Sequence, residues 1–438
     1  KRNSNKIYLD LAINAKNYYP FAVPFATKND QYIDYLDPVL NAASTYDKHF
    51  IIKTYDGARR ATEGEDRENN WVKVLRHQSA ENPSYLQPGV GYIITALTYP
   101  DKDTATIRIP MTVPDTWFDN GEQTVVGTTT RNAVTVTGHT GAAATEHPRH
   151  AGWNFVASPY LSNFAGSGIG GGQQYIDGWI NIPDNFNYED TEVPYVTIPV
   201  ADFAYYDQRK MSEVTLSPEW SFFVQIAADK GGTMNFAIDG RKQAPAALRA
   251  NDADANPSFE ANIAIVNDQE QIADHTGLVI NDRYTTAYEI GGDLEKMFGS
   301  AYNTSVYTLS HGTRLAYNAL SFNDAIQPIP LGYRAETEGA YTIQLTNSDE
   351  ITDVESIILE DQYTNTVTDL LYGGHIFNSE RTQDDNRFVI YIVPRKNDPT
   401  DLPNIYNDEQ SPRKLLHNGR LYIIHNGRIY NGNGQIVK

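Results

Sequence analysis

The chain has 438 residues and no cysteine, and its 35 basic and 55 acidic residues give a formal charge of −20. That length calls for roughly two to four domains, and the missing cysteine excludes disulfides, thiolate metal sites and cysteine nucleophiles. The acidic balance argues against nucleic acid as a partner, since phosphate binding needs a basic surface, and no apolar run approaches the roughly 20 residues of a membrane helix.

A content of 29 Tyr, 22 Pro and 31 Gly, with abundant Thr and Asn, favours strands and turns over helices. The chain opens on Lys1-Arg-Asn-Ser-Asn5 without an initiator Met, so a mature product or the end of a longer precursor is expected. Short strands are predicted over Ile7 to Ala12, Phe21 to Phe25, Phe50 to Thr54, Trp71 to Arg76, Gly91 to Ala96 and Thr104 to Pro110. Residues 126 to 151, rich in Thr, Gly and Ala, read as a strand pair and a loose connection. A second unit follows from Gly152 to about Asp239. It resembles the first: Tyr19-Pro-Phe-Ala-Val-Pro-Phe25 matches Trp153-Asn-Phe-Val-Ala-Ser-Pro-Tyr160, and Leu86-Gln-Pro-Gly-Val-Gly-Tyr-Ile-Ile94 matches Leu216-Ser-Pro-Glu-Trp-Ser-Phe-Phe-Val224. Each pair is followed by a charged turn and a strand, Thr104 to Pro110 and Thr233 to Ile238, which reads as a duplicated β unit.

Arg241 to Asn262 has little to bury and reads as a linker. A third unit, from about Asn262 to Val393, carries strands at Ala261 to Val266, Gly277 to Ile280, Ser305 to Leu309, Thr313 to Tyr317, Gly339 to Leu345, Ser356 to Leu359 and Arg387 to Val393. This is the pattern of a sandwich. One helical turn is expected at Asp293 to Phe298, and Pro394 to Pro412 reads as a tether. The tail then repeats itself, Leu415-Leu-His-Asn-Gly-Arg-Leu-Tyr422 followed by Ile423-Ile-His-Asn-Gly-Arg-Ile-Tyr430. Asn-Gly between apolar runs marks a two-residue hairpin loop, because both central residues of a type I′ turn need φ > 0. Loops at Asn418-Gly419 and Asn426-Gly427 set Leu416 opposite Leu421, Leu415 opposite Tyr422, Ile424 opposite Ile429 and Ile423 opposite Tyr430. One face then holds Leu416, Leu421, Ile423 and Tyr430, and the other holds Leu415, Tyr422, Ile424 and Ile429. Residues 411 to 438 include five basic and no acidic residues, so the body from 1 to 410 carries −25. A lone ribbon of this size is marginal in water, and this basic tail is expected to dock on the acidic body or be read by another protein.

Candidate chemistry is sparse. Gly166-Ser-Gly168-Ile-Gly-Gly171 matches a dinucleotide fingerprint by letters but lacks the strand and helix that make one work, so a flexible loop is favoured. His139, His147 and His150 could hold zinc, but Pro148 lies between two of them, no helix sets their spacing, and a solvated loop is favoured. Asp252-Ala-Asp254-Ala-Asn256 starts like a calcium loop, yet Pro257 and Ile263 stand where an EF-hand needs Gly and Glu, leaving a polar linker or a weak surface calcium site. Asp184 to Glu192 and Asp384-Asp385 are acidic surface runs, and nothing singles out a glycosidase pair. Trp71, Trp117, Trp153, Trp179 and Trp220 are assigned to sandwich cores, with a sugar-binding face as the alternative.

Several segments together resemble exported proteins of the Bacteroidetes. Gly152-Trp-Asn-Phe-Val-Ala-Ser-Pro-Tyr160 with Pro218-Glu-Trp-Ser-Phe-Phe-Val-Gln225 is similar to a module recurring in such proteins. Asp293-Leu-Glu-Lys296, Tyr307-Thr-Leu309, Ile329-Pro-Leu-Gly332, Tyr341-Thr-Ile343, Leu359-Glu-Asp361, Asp369-Leu370, Phe377 and Asn386-Arg-Phe388 resemble, in order, the β-sandwich that often precedes their C-terminal sorting region. Ile429-Tyr-Asn-Gly-Asn-Gly-Gln-Ile-Val-Lys438 is similar to the start of a type IX sorting domain, though the strands that normally follow are missing. The resemblance implies export and surface display, and carries over no catalytic residue.

The expectation is an all-β protein of tandem, jelly-roll-like β-sandwich domains with a short C-terminal three-stranded meander. Its parts are 1–150 and 151–250 as two copies of one β domain, possibly packed together, 251–395 as a sandwich, and 396–438 as tether and tail. It is expected to be a non-enzymatic, extracellular surface protein with a structural or adhesive role, without a cofactor, and with other surface proteins or glycans as partners. The tail is expected to contact export machinery or the acidic body. Two alternatives are a carbohydrate-binding module or glycan-acting component, and the display portion of a longer precursor.

Overall fold

A computed structural model describes residues 6–14, 17–28, 34–35, 50–65, 69–74, 84–96, 104–112, 133–159, 163–165, 180–181, 195–200, 203–228, 231–236, 259–394, 413–417, 420–425 and 428–431. The fold is all-β, as the composition predicts, and the chain forms two compact units. The first holds residues 1–251 with Met297–Ala301, and the second holds Asp252–Lys296 with Tyr302–Lys438.

The first unit is a duplication. Its first repeat runs through β1 (Lys6–Asn14), β2 (Tyr18–Ala22), β3 (Thr27–Lys28), β4 (Asp34–Tyr35), β5 (Phe50–Tyr55), β6 (Trp71–Lys73), β7 (Ser84–Leu86), β8 (Gly91–Ala96) and β9 (Thr104–Thr112). The second runs through β10 (Ala133–Thr137), β11 (Trp153–Ala157), β12 (Phe164–Ala165), β13 (Ile180–Asn181), β14 (Tyr195–Pro199), β15 (Tyr206–Lys210), β16 (Thr215–Leu216), β17 (Ser221–Gln225) and β18 (Gly231–Phe236). The sheets of the first are β2-β8-β5-β6, β1-β9-β4 and β3-β7, and those of the second are β11-β17-β14-β15, β10-β18-β13 and β12-β16. Every pairing in one repeat is thus reproduced in the other, and the order is that of a two-sheet Greek-key jelly roll. The register agrees too: Ala22 faces Gly91 and Phe21 faces Tyr92, as Ala157 faces Ser221 and Val156 faces Phe222. The second repeat includes β10, so its first strand lies before Gly152.

Each repeat has its own core, around Phe21, Phe50, Ile94 and Ile107 in the first and around Val136, Val156, Phe164 and Phe222 in the second. The two also pack against each other. Val90 bridges Val156, the Ala157 N–H donates to the Gly89 carbonyl at 3.0 Å, and the Ser221 hydroxyl donates to the Phe21 carbonyl. Gly91 and Ser221 occupy equivalent positions, and both lie in this contact. A Cβ on Gly91 would stand 2.5 Å from Cδ1 of Phe155, so only glycine lets the strands approach. The arrangement is a pseudo-two-fold one, with equivalent strands meeting across the contact as in an isologous dimer.

The second unit contains β19 (Phe259–Val266), β20 (Ile272–Ile280), β21 (Leu294–Glu295), β22 (Ser305–Ser310), β23 (Thr313–Leu320), β24 (Ile329–Ala335), β25 (Gly339–Leu345), β26 (Val354–Asp361), β27 (Thr366–Asp369), β28 (His375–Ser379) and β29 (Thr382–Pro394). They form one sheet in the order β27-β26-β29-β24-β22-β23-β20-β19-β25-β28, with β21 on β23. Alternate residues line a single core: Phe259, Ala261, Ile263 and Ile265 on β19, Ile329, Leu331, Tyr333 and Ala335 on β24, and Phe388, Ile390 and Ile392 on β29. The Asp293 to Phe298 stretch, expected as a helical turn, instead pairs as β21, because Leu294 and Glu295 are both buried against β23. The tail forms β30 (Arg413–His417), β31 (Arg420–His425) and β32 (Arg428–Asn431), and all four pairings read from the Asn-Gly spacing are present. The tether, the linker before 259 and the Asn-Gly residues themselves lie outside the described residues.

Candidate functional site

Among the described residues the two repeats differ at the connection between their first and second strands, where only the second carries a helix, α2 (Ala142–Glu146), and at the connection between their fifth and sixth strands. In the first repeat Asp56 ends β5 and its N–H donates to the Asn70 carbonyl at 2.8 Å; in the second, the Val200 N–H donates to the Tyr205 carbonyl at 3.0 Å. Asp56 therefore corresponds to Val200 and Asn70 to Tyr205. By the same register Val90 corresponds to Trp220.

In the first repeat the connection is long and carries α1 (Gly57–Glu63). The Asp56 carboxylate caps it by accepting from the Arg59 N–H at 3.0 Å, and the Gly64 N–H closes its end on the Arg60 carbonyl. The helix delivers Arg60 into the molecule, where it is 2 % exposed with its guanidinium 4.4 Å from the Trp153 ring centre. Arg60 also donates to the Tyr55 hydroxyl at 3.4 Å, and Asn70, 1 % exposed, donates to the Gly64 carbonyl. An aromatic seam lies beside it: Tyr55 and Trp71 from the first repeat meet Phe155 and Phe223 from the second at ring-centre distances between 4.4 and 6.0 Å. This corner is closed.

In the second repeat the connection is short and the corner is open. Phe203 sits at φ 52°, a left-handed backbone that costs about 1 kcal/mol or more for a bulky residue. The returning segment holds it there: the Ser300 N–H donates to the Phe203 carbonyl at 2.7 Å and the Ala301 N–H to the Ala204 carbonyl at 3.2 Å. Tyr205 is 48 % exposed and Trp220 is 40 % exposed. Thr197 on β14 faces Phe223 on β17, and beyond the end of β14 the Val200 N–H donates to the Tyr205 carbonyl. Along β15, Asp207 follows Tyr205 by two residues and Arg209 by four, and they pair at 2.7 Å.

Several other buried ionisable groups among the described residues are held by structural partners. Asp361 accepts from Arg387 Nε at 3.1 Å and Nη2 at 2.8 Å, and lies 3.5 Å from His375 Nε2. Burial pushes its carboxyl up, but the His375 and Arg387 bonds outweigh it and hold the group below the usual carboxylate range. Arg387 Nη1 reaches the Asn378 carbonyl on β28, and His375 Nδ1 meets Thr368 Oγ1 on β27 at 2.9 Å. The cluster thereby joins the two ends of the sheet, protecting strand edges. Removing one partner would leave a buried uncompensated charge, a cost of several kcal/mol. Lys296 pairs with Asp274 at 2.6 Å. Asp293 accepts the Ala319 and Glu289 N–H groups at 2.8 Å, and burial pushes its carboxyl up to about 7.

The sequence candidates fall as follows. Gly166–Gly171, Asp252–Asn256, Asp184–Glu192, Trp117 and Trp179 lie outside the described residues. The three histidines do not form a solvated group: His150 is buried near Arg60, His139 packs on Gly57, and His147 alone is exposed, its ring 6.1 Å from that of His150. Burial, then the Arg60, Arg149 and His147 charges, push the His150 imidazole down to about 4. Among the described residues no three His, Asp or Glu side chains could hold a metal ion. Asp385 is not a free surface acid, because Arg314 at 2.6 Å and Tyr307 at 2.7 Å both donate to it. Trp153 is a core residue, Trp71 is half-buried in the seam, and Trp220 departs from the core assignment by being exposed. Tyr205 carried no motif; the signal that finds it is the substitution of an aromatic residue in one repeat for Asn70 in the other.

Fold and site define a protein of two jelly-roll repeats followed in the chain by a unit built on one large β-sheet, with one repeat corner sealed and the other open. A family model described as a domain of unknown function (DUF8693) matches residues 25–392, from just after β2 to within β29, and the chain belongs to that family. No curated protein and no solved structure matches it.

Proposed function

We propose that this is a non-catalytic, exported display protein whose role on the cell exterior is structural and adhesive. The observation that carries this reading is the pseudo-two-fold packing of the repeats. It makes one block from two jelly rolls, through a backbone contact that tolerates only glycine at Gly91 and a seam of interlocked aromatic rings. In the second unit, the charged groups of the segments that resemble exported Bacteroidetes proteins are bound into the sheet: Asp361 with Arg387, and Asp293 with backbone N–H groups. Such groups stabilise a scaffold and leave its loops to make contacts. The resemblance of the closing segment to a type IX sorting region supports export, with the basic tail as the part that machinery or the acidic body would contact. Other surface proteins or glycans are the partners.

Protease treatment of intact cells, followed by immunodetection of the chain, tests the reading. Loss of signal from intact cells, with a cytoplasmic control untouched, is the expected result. A chain protected until lysis would overturn display, and turnover of glycoside or ester substrates by the purified chain would overturn the non-catalytic assignment.

A further inference from the structure

We infer that the segment Met297–Ala301 is a strap that latches the aromatic seam between the two repeats, and that it does so through Phe203. The segment is the one part of the first unit that lies beyond residue 251. The argument starts from the backbone at Phe203, whose φ of 52° is an outlier for a bulky side chain. Glycine would adopt that conformation without strain, so the backbone gives no reason for a phenylalanine here. The ring does. Phe203 belongs to the second repeat, and its ring centre lies 5.7 Å from that of Trp71 in the first, edge-on at 75°. Trp71 in turn meets Phe155 at 5.2 Å and Phe223 at 6.0 Å. Phe203 thus adds one more ring to the seam, and it reaches Trp71 from a left-handed backbone.

The strap supplies what holds that backbone. Ser300 donates to the Phe203 carbonyl twice, from its N–H at 2.7 Å and its hydroxyl at 3.2 Å, and the Ala301 N–H donates to the Ala204 carbonyl at 3.2 Å. The front of the strap is fixed on β15. There the Met297 N–H donates at 2.9 Å to Oε1 of Gln208, a buried side chain whose Nε2 donates at 3.3 Å to Thr197 Oγ1. Between these ends Gly299 packs directly on the loop: a Cβ there would stand 2.1 Å from the Ala204 carbonyl oxygen and 2.5 Å from that of Phe203. A residue in a sparsely populated conformation persists only while its surroundings impose it. With the strap seated, the Phe203 ring stays on Trp71. With the strap lifted, Phe203 relaxes and the seam loses that ring. The device lies within the first unit and stands independently of the display reading.

Hydrogen exchange of the full chain, followed by mass spectrometry well below its thermal midpoint, tests the latch. Gly299→Ala adds the clashing Cβ and should raise exchange by at least about 10-fold in residues 203–209 and, through the ring, in β6 around Trp71, with β19 unchanged. Phe203→Gly keeps the left-handed backbone but removes the ring, so exchange in β6 should rise as much while residues 297–301 stay protected. The double variant should add nothing further in β6, because both changes act through one contact. A rise confined to residues 203–209, an additive double variant, or no effect of Phe203→Gly on β6 would overturn the latch. Should Gly299→Ala loosen β19 as well, Ser300→Ala takes its place. It removes only the hydroxyl bond and should raise exchange about 2- to 5-fold in the same two segments; a rise that spares β6 would again overturn the latch.

Discussion

Among the described residues the two repeats share their strand pairings, and one of the places where they differ is the corner between the fifth and sixth strands. In the first, the connection after β5 is long enough to form α1, and the helix drives Arg60 under Trp153 and seals the corner. In the second, a short connection is held by a neighbouring segment, and the two aromatic residues at its rim stay in solvent. The difference teaches that one strand topology accepts two finishes at equivalent positions, one that buries its charged and aromatic groups and one that leaves Tyr205 and Trp220 partly in solvent.

The contact between the repeats is where the comparison breaks most easily. Gly91→Val places branched carbon where a Cβ already meets Phe155, a ring pinned by Phe223 at 4.4 Å and Trp71 at 5.2 Å. A loss of about 3 kcal/mol or more is expected in denaturant unfolding. Arg60→Ala removes the stack on Trp153 and leaves a void under α1, and should cost about 2 to 4 kcal/mol; a loss below about 0.5 kcal/mol would show that the helix does not seal the corner.

The sealed corner also has a pH signature. His150 has its imidazole pushed down to about 4 in the folded state against an ordinary value near 6.5. The unfolded chain therefore binds the proton first as pH falls. Stability from this group is full above pH 6.5 and is lost as pH drops toward 4, by up to about 3 kcal/mol. Asp293, with its carboxyl raised, gives the opposite slope between about 4 and 7, but it is common to the parent and to His150→Phe and cancels between them. The difference in unfolding free energy between those two proteins should change across that window, and a constant difference would refute the assignment.

Smaller effects separate the equivalent positions. Ser221→Ala, opposite Gly91 in the pseudo-symmetry, loses one buried hydrogen bond to Phe21 and should cost about 1 kcal/mol. Tyr205→Ser with Trp220→Ser should cost less than Arg60→Ala, since both rings keep 40 % or more of their surface in solvent while Arg60 is 2 % exposed. A larger loss on calorimetry would mean that the open corner is structural after all.

Much of this architecture was legible in the residues. The Leu86 to Ile94 and Leu216 to Val224 segments align the repeats in the register that the strands adopt, whereas Trp220, read as a core residue, is exposed. The strand β10 was legible only as part of a strand pair within residues 126 to 151, and the helix α1 and the β21 pairing were not legible. Each depends on a partner far along the chain: β10 on β18, α1 on β11 and β21 on β23.

The sequence by itself determined the all-β class, the duplication and the tail meander, because Asn-Gly turns and alternating apolar residues act over a few positions and fix local register. Tertiary structure alone decided which aromatic residues are buried, which carboxylates are consumed by cations, and which corner stays open. Burial is a property of what covers a residue, and here the cover over Asn70 and its absence over Tyr205 come from chain segments whose position no local pattern specifies.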